Sequence, residues 1–278
     1  MKQILIILAV LAVILPLALC CKPGKVQAPK VLVLYYSQTG TTQKVAETLA
    51  ASLGADIEAI EAVVPYAGSF EETIGRCKEE METGTLPELK PLTSDLSAYD
   101  VIVLGYPVWF GTCAPPMKAL LGTADFAGKK IVPFCTFGSG GLDSSVRDIT
   151  AALPDATVLP GYGVRAARIE AAPAEIDDFL KRNGWIEGEV PALEEFPEAQ
   201  PVTEEVAAIF DAAVDGYPML NAKATAFASR PVPGGTEYLF TAVNLPREGA
   251  PESPFDKEMK VYVLALEGQA PVFTQVLR

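Results

Sequence analysis

The chain has 278 residues, a net charge of −13 and no histidine. The absence of histidine excludes Ser-His and Cys-His nucleophile pairs, His-ligated zinc and imidazole acid–base catalysis. The negative charge argues against a nucleic-acid partner, because no basic surface is present to neutralise phosphates. We identify no catalytic residue and no metal ligand in the sequence.

The amino-terminal segment predicts a secretion signal over residues 1–21. An apolar run over residues 4–19 is shorter than the about 20 residues that a bilayer-spanning helix needs, and it matches the apolar region of a signal peptide. The run closes on two cysteines, which resembles a bacterial lipoprotein signal with the lipid on Cys21 or, alternatively, Cys20. An uncleaved membrane anchor is the alternative. Either way we expect an extracytoplasmic protein of the bacterial cell envelope, anchored to a membrane through a tether over residues 22–30.

The first strand and helix of the folded part follow directly. Residues 31–36 form an unbroken apolar run, which is typical of a strand buried on both faces. A helical pattern follows, with Val45, Leu49 and Leu53 on one face. The short loop between them opens the helix, where backbone N–H groups and the positive end of the helix dipole converge. The loop consists of Ser37, Gln38, Thr39, Gly40, Thr41 and Thr42.

This first loop carries hydroxyl side chains and one glycine but no charge. It lacks the lysine of a P-loop and the glycine pattern of a dinucleotide-binding turn, so we predict a site for a phosphate monoester. After a buried first strand, the sequence S-Q-T-G-T-T resembles the phosphate-binding loop of the flavodoxins, whose ligand is flavin mononucleotide (FMN). The alternative is that these residues only cap the helix and shape a turn.

A second loop follows an apolar strand predicted over residues 101–106. It reads P-V-W-F-G-T-C-A-P-P-M, with two large aromatic residues outside any periodic pattern and fixed by prolines. An exposed, rigidly held aromatic side chain indicates a flat group on which it stacks. The alternative is that Trp109 and Phe110 pack beneath their own loop. The residues predicted to contact a cofactor here are Pro107, Val108, Trp109, Phe110 and Gly111.

A third loop, with the sequence G-S-G-G, follows a strand predicted over residues 129–136. In a doubly wound sheet, ligands bind in the crevice at the carboxyl ends of the strands, where the strand order reverses. The second and third loops resemble the flavin-stacking loop of a flavodoxin-like family and the loop whose backbone approaches the pyrimidine edge of the flavin. The third-loop residues predicted to bind FMN are Thr136, Phe137, Gly138, Ser139 and Gly140.

The remaining patterns of residues 31–186 complete five strand-helix units. They predict a weak strand at 55–60, a helix at 70–83, a helix ending near 153, a fifth strand in two pieces at 157–159 and 161–164, and a closing helix at 173–183. The prediction is an α/β fold with a doubly wound, five-stranded parallel sheet in the order 2-1-3-4-5, as in flavodoxins.

A second, smaller α+β domain is predicted over residues 202–278, after a linker at 187–201 that is rich in proline and glutamate. It consists of a helix at 202–214 and a four-stranded antiparallel sheet, with strands near 221–230, 236–244, 259–267 and 270–277. The sequence P-V-P-G-G-T-E-Y after the first of these strands resembles a cystatin hairpin. Because Arg230-Pro231 departs from the cystatin pattern, a docking or scaffold domain is favoured over protease inhibition.

Three further cysteines lie outside the signal, at Cys77, Cys113 and Cys135. They are too scattered for a disulfide framework or a C-x-x-C redox pair. We predict Cys77 and Cys135 as small core residues. One disulfide among the three is left open.

The leading prediction is a membrane-tethered protein that binds FMN and passes single electrons to a redox partner that the sequence does not identify. An apolar, acidic surround is expected to lower the second reduction potential of the flavin. One alternative is an FMN-dependent quinone or small-molecule reductase. The other is a flavin-free binding or inhibitor lipoprotein. The signal has no twin arginine, so an exported chain would acquire FMN outside the cytoplasm.

Overall fold

The computed structural model describes residues 28–218, 220–245 and 258–277. The predicted signal and both candidate lipid-attachment cysteines lie outside the described residues. Among the helices that are described, none is long and apolar enough to cross a membrane.

The first domain alternates strands and helices. Its strands are β1 (Val31–Tyr35), β2 (Asp56–Ala59), β3 (Val101–Trp109), β4 (Thr112–Cys113), β5 (Lys130–Phe137), β6 (Thr157–Val158) and β7 (Tyr162–Arg165). Its α-helices are α1 (Thr41–Leu53), α2 (Phe70–Thr83), α3 (Pro115–Thr123), α4 (Leu142–Ala152) and α5 (Ala172–Arg182), and two 3-10 segments lie at Leu96–Ala98 and Ala166–Ala171.

The main sheet is parallel and runs β2-β1-β3-β5, with β6 and β7 both paired to β5. Because β6 and β7 are two pieces of the predicted fifth strand, the predicted order and the doubly wound fold are confirmed. β4 is an addition that turns back antiparallel onto the end of β3. Sequential strands run outward in opposite directions from the β1–β3 pair, so the crevice at the carboxyl ends of β1 and β3 is the topological switch point.

The central strands are apolar throughout because helices cover both faces of the sheet. Leu32 and Leu34 of β1 have no exposed surface and join the core on the side of α3 and α4. Val33, between them, is equally buried and joins the core on the side of α1 and α5. This burial on both faces accounts for the unbroken apolar runs from which the strands were predicted.

Helix α2 has the predicted bounds, and a capping box between Ser69 and Glu72 fixes its start. The second loop differs from its prediction. β3 runs on to Trp109, and α3 already begins at Pro115. Proline suits the first turn of a helix, where its missing N–H group is not needed.

The second domain contains β8 (Gln200–Pro201), α6 (Glu204–Val214), β9 (Ala222–Val232), β10 (Gly235–Asn244), β11 (Glu258–Leu266) and β12 (Val272–Leu277). Its sheet is antiparallel in the order β12-β11-β10-β9-β8. The α+β architecture is confirmed, although the sheet has a fifth strand, β8, at the end of the predicted linker. Phe210 of α6 packs edge-on against Phe240 of β10, with 5.1 Å between ring centroids. The likeness to cystatins stays a prediction.

The segment between the two domains is held by contacts at several points. An Arg182 Nη1 group donates to the Pro191 carbonyl at 2.7 Å, and Arg230 Nη1 donates to the Glu194 carbonyl at 2.8 Å. The Arg230 guanidinium also lies 4.3 Å from the centroid of the Phe196 ring. The predicted linker is therefore largely exposed but is held at three points, Pro191, Glu194 and Phe196.

Cys77, Cys113 and Cys135 are buried and free, so no disulfide joins them. The core placement predicted for Cys77 and Cys135 is confirmed. Burial raises the pKa of the Cys77 thiol to about 11, which keeps it protonated at neutral pH.

Gly105, in β3, provides a test of the packing between strands. A Cβ atom at this position would lie 1.9 Å from Cζ of Phe134, a fully buried ring. We therefore expect Gly105→Ala to lower the free energy of unfolding by about 1 to 3 kcal/mol in urea denaturation. Gly75→Ala in α2 is the control. A Cβ at Gly75 meets no described atom within 4 Å, so this change should stabilise by about 0.5 to 1 kcal/mol. An unchanged midpoint for Gly105→Ala would contradict this packing.

Candidate functional site

The first predicted loop joins β1 to α1 at the carboxyl edge of the sheet. Gly40, at the N-cap of α1, has a φ of 85°, a left-handed conformation that glycine adopts without strain. Ser37 Oγ accepts hydrogen bonds from the backbone N–H groups of Gly40 at 3.1 Å and Gln43 at 3.2 Å. One hydroxyl of the loop therefore does cap the helix.

Two amides in the first turn of α1 have no partner within the described chain. No described residue accepts a hydrogen bond from the backbone N–H group of Thr41 or Thr42. The Thr39 side chain is exposed, and its Oγ1 lies 3.5 Å from Oγ1 of Thr41. Two amides and two hydroxyls thus meet at the positive end of the α1 dipole. This donor set suits a phosphate monoester.

The side chains of Thr42 and Thr136 are used within the protein. Their Oγ1 atoms lie 2.8 Å apart, and the two residues are only 1% and 4% exposed. This contact joins the first loop to the end of β5. The hydroxyls of these two predicted cofactor residues therefore bond to each other. Of Thr42, the backbone amide is the group left for a ligand.

The Gln38 side chain is also held by the protein. Its Oε1 accepts a hydrogen bond from the Tyr36 hydroxyl at 2.5 Å, and its Nε2 donates to the Tyr66 carbonyl at 2.5 Å. Gln38 therefore ties the first loop to the segment that follows β2.

An aromatic cluster lies beside the first loop. The Trp109 ring meets the Tyr36 ring at a centroid distance of 6.0 Å and the Tyr66 ring at 5.4 Å, both edge to face. The Arg76 guanidinium lies 3.9 Å from the centroid of Tyr66. Glu80 accepts a hydrogen bond from the Tyr66 hydroxyl and pairs with Arg76 at 2.7 Å. Trp109 is thus half-buried against rings from other segments and does not pack beneath its own loop.

Sequence reasoning missed Tyr66, because it lies in an irregular segment without periodicity. Burial raises the pKa of Tyr36 to about 12. Burial and the hydrogen bond to Glu80 raise the pKa of Tyr66 as well. Both phenols therefore stay protonated at neutral pH and serve as packing and hydrogen-bonding groups.

The tip of the second loop is a strained, exposed hairpin. Phe110 and Gly111 have φ angles of 51° and 80° and form a two-residue turn between β3 and β4. A positive φ is uncommon for a bulky residue, and the Phe110 side chain is 53% exposed. Ser144 Oγ donates to the Gly111 carbonyl at 2.6 Å, and Thr112 Oγ1 donates to Asp148 at 2.5 Å. Helix α4 thus holds an aromatic ring out of the core, which indicates a use beyond folding.

Pro107 and Val108 position the second loop. The Pro107 carbonyl accepts a hydrogen bond from the Ala114 amide at 3.2 Å, and Val108 pairs with Cys113. Val108 also packs on Gly141, where a Cβ atom would lie 2.6 Å from its Cγ1. These contacts fix the second loop against the start of α4.

The third loop is held by hydrogen bonds from Arg165 and from the second domain. Phe137 is buried, the Gly138 carbonyl accepts a hydrogen bond from Arg165 Nε at 2.9 Å, and the Ser139 carbonyl accepts one from the Val276 amide at 2.6 Å. Sequence analysis missed Arg165 and Val276, since nothing in the sequence indicates that the second domain meets this loop.

The three loops therefore meet at one edge of a parallel sheet, linked by side-chain contacts. A phosphate-suited helix end, an aromatic cluster and a glycine-containing loop line the switch point. This arrangement defines a flavodoxin-like α/β domain with a second domain attached to it.

Comparison with known proteins agrees with this class. A sequence model of the family described as Flavodoxin matches residues 30–175, just over half of the chain. The chain therefore belongs to the flavodoxin family. A search of curated proteins gave no match.

Similar solved structures include three bacterial proteins. A candidate flavoprotein from Bacteroides eggerthii is 28% identical, with a TM-score of 0.46, and the match covers 54% of this chain and 99% of that one. A candidate flavoprotein from Bacteroides uniformis is 26% identical, with a TM-score of 0.49 and the same coverage of both chains. A flavoprotein from Lactobacillus acidophilus in complex with FMN is 23% identical, with a TM-score of 0.47, covering 54% of this chain and 97% of that one.

The Thr42–Thr136 contact provides a second test. Thr42→Val removes one hydroxyl without changing the side-chain shape, and it leaves the Thr136 hydroxyl buried without its partner. We expect a loss of about 1 to 3 kcal/mol in the free energy of unfolding. The double variant Thr42→Val, Thr136→Val should recover most of that loss, because neither unpaired group remains. Additive losses in urea denaturation would show that the two hydroxyls act independently.

Proposed function

We propose that this protein binds FMN at the switch-point crevice and transfers electrons. The observation that carries the proposal is the pair of unpartnered amides, those of Thr41 and Thr42, beside the exposed hydroxyl of Thr39. These donors fit a dianionic phosphate monoester, which the helix dipole also favours. Membership of the flavodoxin family supports FMN as the compound that carries this phosphate.

The other loops fit the flat ring of FMN. Trp109 and the exposed Phe110 offer aromatic surface at the end of β3, and aromatic surfaces bind a planar ring by stacking. The backbone of Gly138, Ser139 and Gly140 offers hydrogen-bonding groups to its edge. Bound FMN supplies the redox chemistry, because it accepts and returns electrons singly or in pairs. The residues of the chain bind the cofactor, orient it and limit its contact with water.

We favour a carrier role over a stand-alone reductase because the sequence carries no glycine pattern of a nicotinamide-binding turn. The redox partner is a protein, and the net charge of −13 favours a basic one through long-range attraction.

FMN binding is tested by titrating the purified full-length protein with FMN and following the quenching of flavin fluorescence. Thr39→Ala should weaken binding about tenfold, the loss of one hydrogen bond to a charged group. Trp109→Ala should also weaken binding, because it removes aromatic surface and loosens the cluster. The control is Thr48→Ala in α1. In the wild type the Thr48 hydroxyl donates to the Lys44 carbonyl of the same helix. Its affinity for FMN should match that of the wild type.

If the protein carries no flavin absorbance after incubation at high FMN concentration and removal of the excess, the proposal is refuted. A flavin-free binding lipoprotein would then be favoured. Rapid turnover of NAD(P)H with a quinone by the loaded protein would replace the carrier role with that of a reductase.

We also propose that the protein is exported and anchored to the cell envelope through lipid on Cys21, with Cys20 as the alternative. The support is the apolar run that closes on this cysteine pair. Cys21→Ser should move the protein from the membrane to the soluble fraction and abolish labelling with palmitate, whereas Cys20→Ser should change neither. If both variants stay in the membrane without a label, the segment is an uncleaved anchor.

A further inference from the structure

Arg165, at the end of β7, joins the third loop to the second domain. It is only 8% exposed. Its Nε donates to the Gly138 carbonyl at 2.9 Å, and its Nη1 donates to the carbonyl of Phe273 in β12 at 2.9 Å. The guanidinium lies 3.3 Å from the centroid of the Phe273 ring and 5.3 Å from that of Tyr217. One buried side chain of the first domain thus bridges two backbone carbonyls and lies against two rings of the second domain.

The second domain also contacts the third loop directly. The Val276 amide of β12 donates to the Ser139 carbonyl at 2.6 Å. A Cβ atom at Gly140 would lie 2.3 Å from the Val276 carbonyl oxygen, and one at Gly138 would lie 3.2 Å from the Tyr217 hydroxyl oxygen. Both glycines therefore leave room for the second domain to approach the loop.

These contacts determine how the peptide groups of the loop are turned. In a trans peptide the carbonyl and the following N–H group point in opposite directions, and the described chain has no cis peptide bond. The carbonyls of Gly138 and Ser139 point to Arg165 and β12. The N–H groups of Ser139 and Gly140 therefore point away from the second domain, and no described residue accepts a hydrogen bond from either.

The sheet order places the switch-point crevice relative to Arg165. β7, which carries Arg165, lies on the side of β5 opposite β3. The hairpin tip and the aromatic cluster follow β3. Amides that point away from Arg165 and β12 therefore face the switch-point crevice.

We propose that Arg165 and β12 are positioning elements of the FMN site. They hold the third loop with the N–H groups of Ser139 and Gly140 directed at the carbonyl oxygens of the flavin pyrimidine ring. The inference rests on the proposed FMN binding and assigns the second domain a part in it. Because coupling between two binding events is reciprocal, bound FMN strengthens the docking of β12 on the loop.

The test measures FMN affinity in variants of the full-length protein. Arg165→Met removes both bridging hydrogen bonds and should weaken FMN binding about tenfold. Arg165→Lys keeps the charge but lacks the planar fork that reaches both carbonyls, so it should give an intermediate affinity. Arg147→Met is the matched control. Arg147 is exposed on α4, and its replacement should leave the affinity within about twofold of the wild type.

Two further readouts separate positioning from general loss of structure. The carbonyl stretching bands of bound FMN should move to higher frequency in Arg165→Met, because the amide donors no longer aim at the ring. In the flavin-free protein, hydrogen exchange at the Val276 amide should be faster in Arg165→Met than in the wild type. FMN should slow this exchange in the wild type.

Gly140→Ala serves if Arg165→Met does not fold, since its Cβ displaces β12 without changing a charge. It should likewise weaken FMN binding and speed exchange at Val276. If the wild type binds FMN and both variants bind it equally well, this inference is wrong and the proposed function stands. A wild type that binds no FMN overturns both.

Discussion

Parallel pairing of β1, β3 and β5 is the constraint on which the site depends. Parallel strands buried on both faces must each be followed by a crossover, so all their carboxyl ends lie at one edge. Three loops that are far apart in sequence are thereby brought into contact with one another. The Thr42–Thr136 contact, which links residues 94 positions apart, exists only because of this pairing.

That geometry determines which groups of the loops bond within the protein and which are left for a ligand. Side chains that were candidates for ligand contact, such as Gln38 and Thr42, instead join one loop to another. The groups left without a partner among the described residues include the Thr41 and Thr42 amides, which lie near the aromatic surface of Trp109 and Phe110. A site whose side chains are already tied to one another loses less conformational freedom when a ligand binds.

Much of the fold was predictable from the sequence because local patterns and tertiary structure agree. Apolar runs predicted the buried strands, and the helix predicted over residues 70–83 has the bounds that α2 shows in the structure. The hairpin at Phe110 was not predictable, since its positive φ opposes the preference of a bulky residue and is imposed by contacts with α4. The contacts of Arg165 with β12 were equally hidden. They join residues that are 108 positions apart and that lie in two domains which no sequence pattern connects.

The link between the third loop and β12 has a consequence for the order in which the protein matures. The Ser139 carbonyl accepts its hydrogen bond from the Val276 amide, which lies 137 positions later in the chain. Because a chain is synthesised from its amino terminus, the first loop and the hairpin can form early. The third loop lacks its hydrogen bond from Val276 until β12 has folded. Domains usually fold as units in the order of their synthesis. Here β12 closes a feature of the first domain, so the third loop is complete only after β12 has been synthesised and has folded.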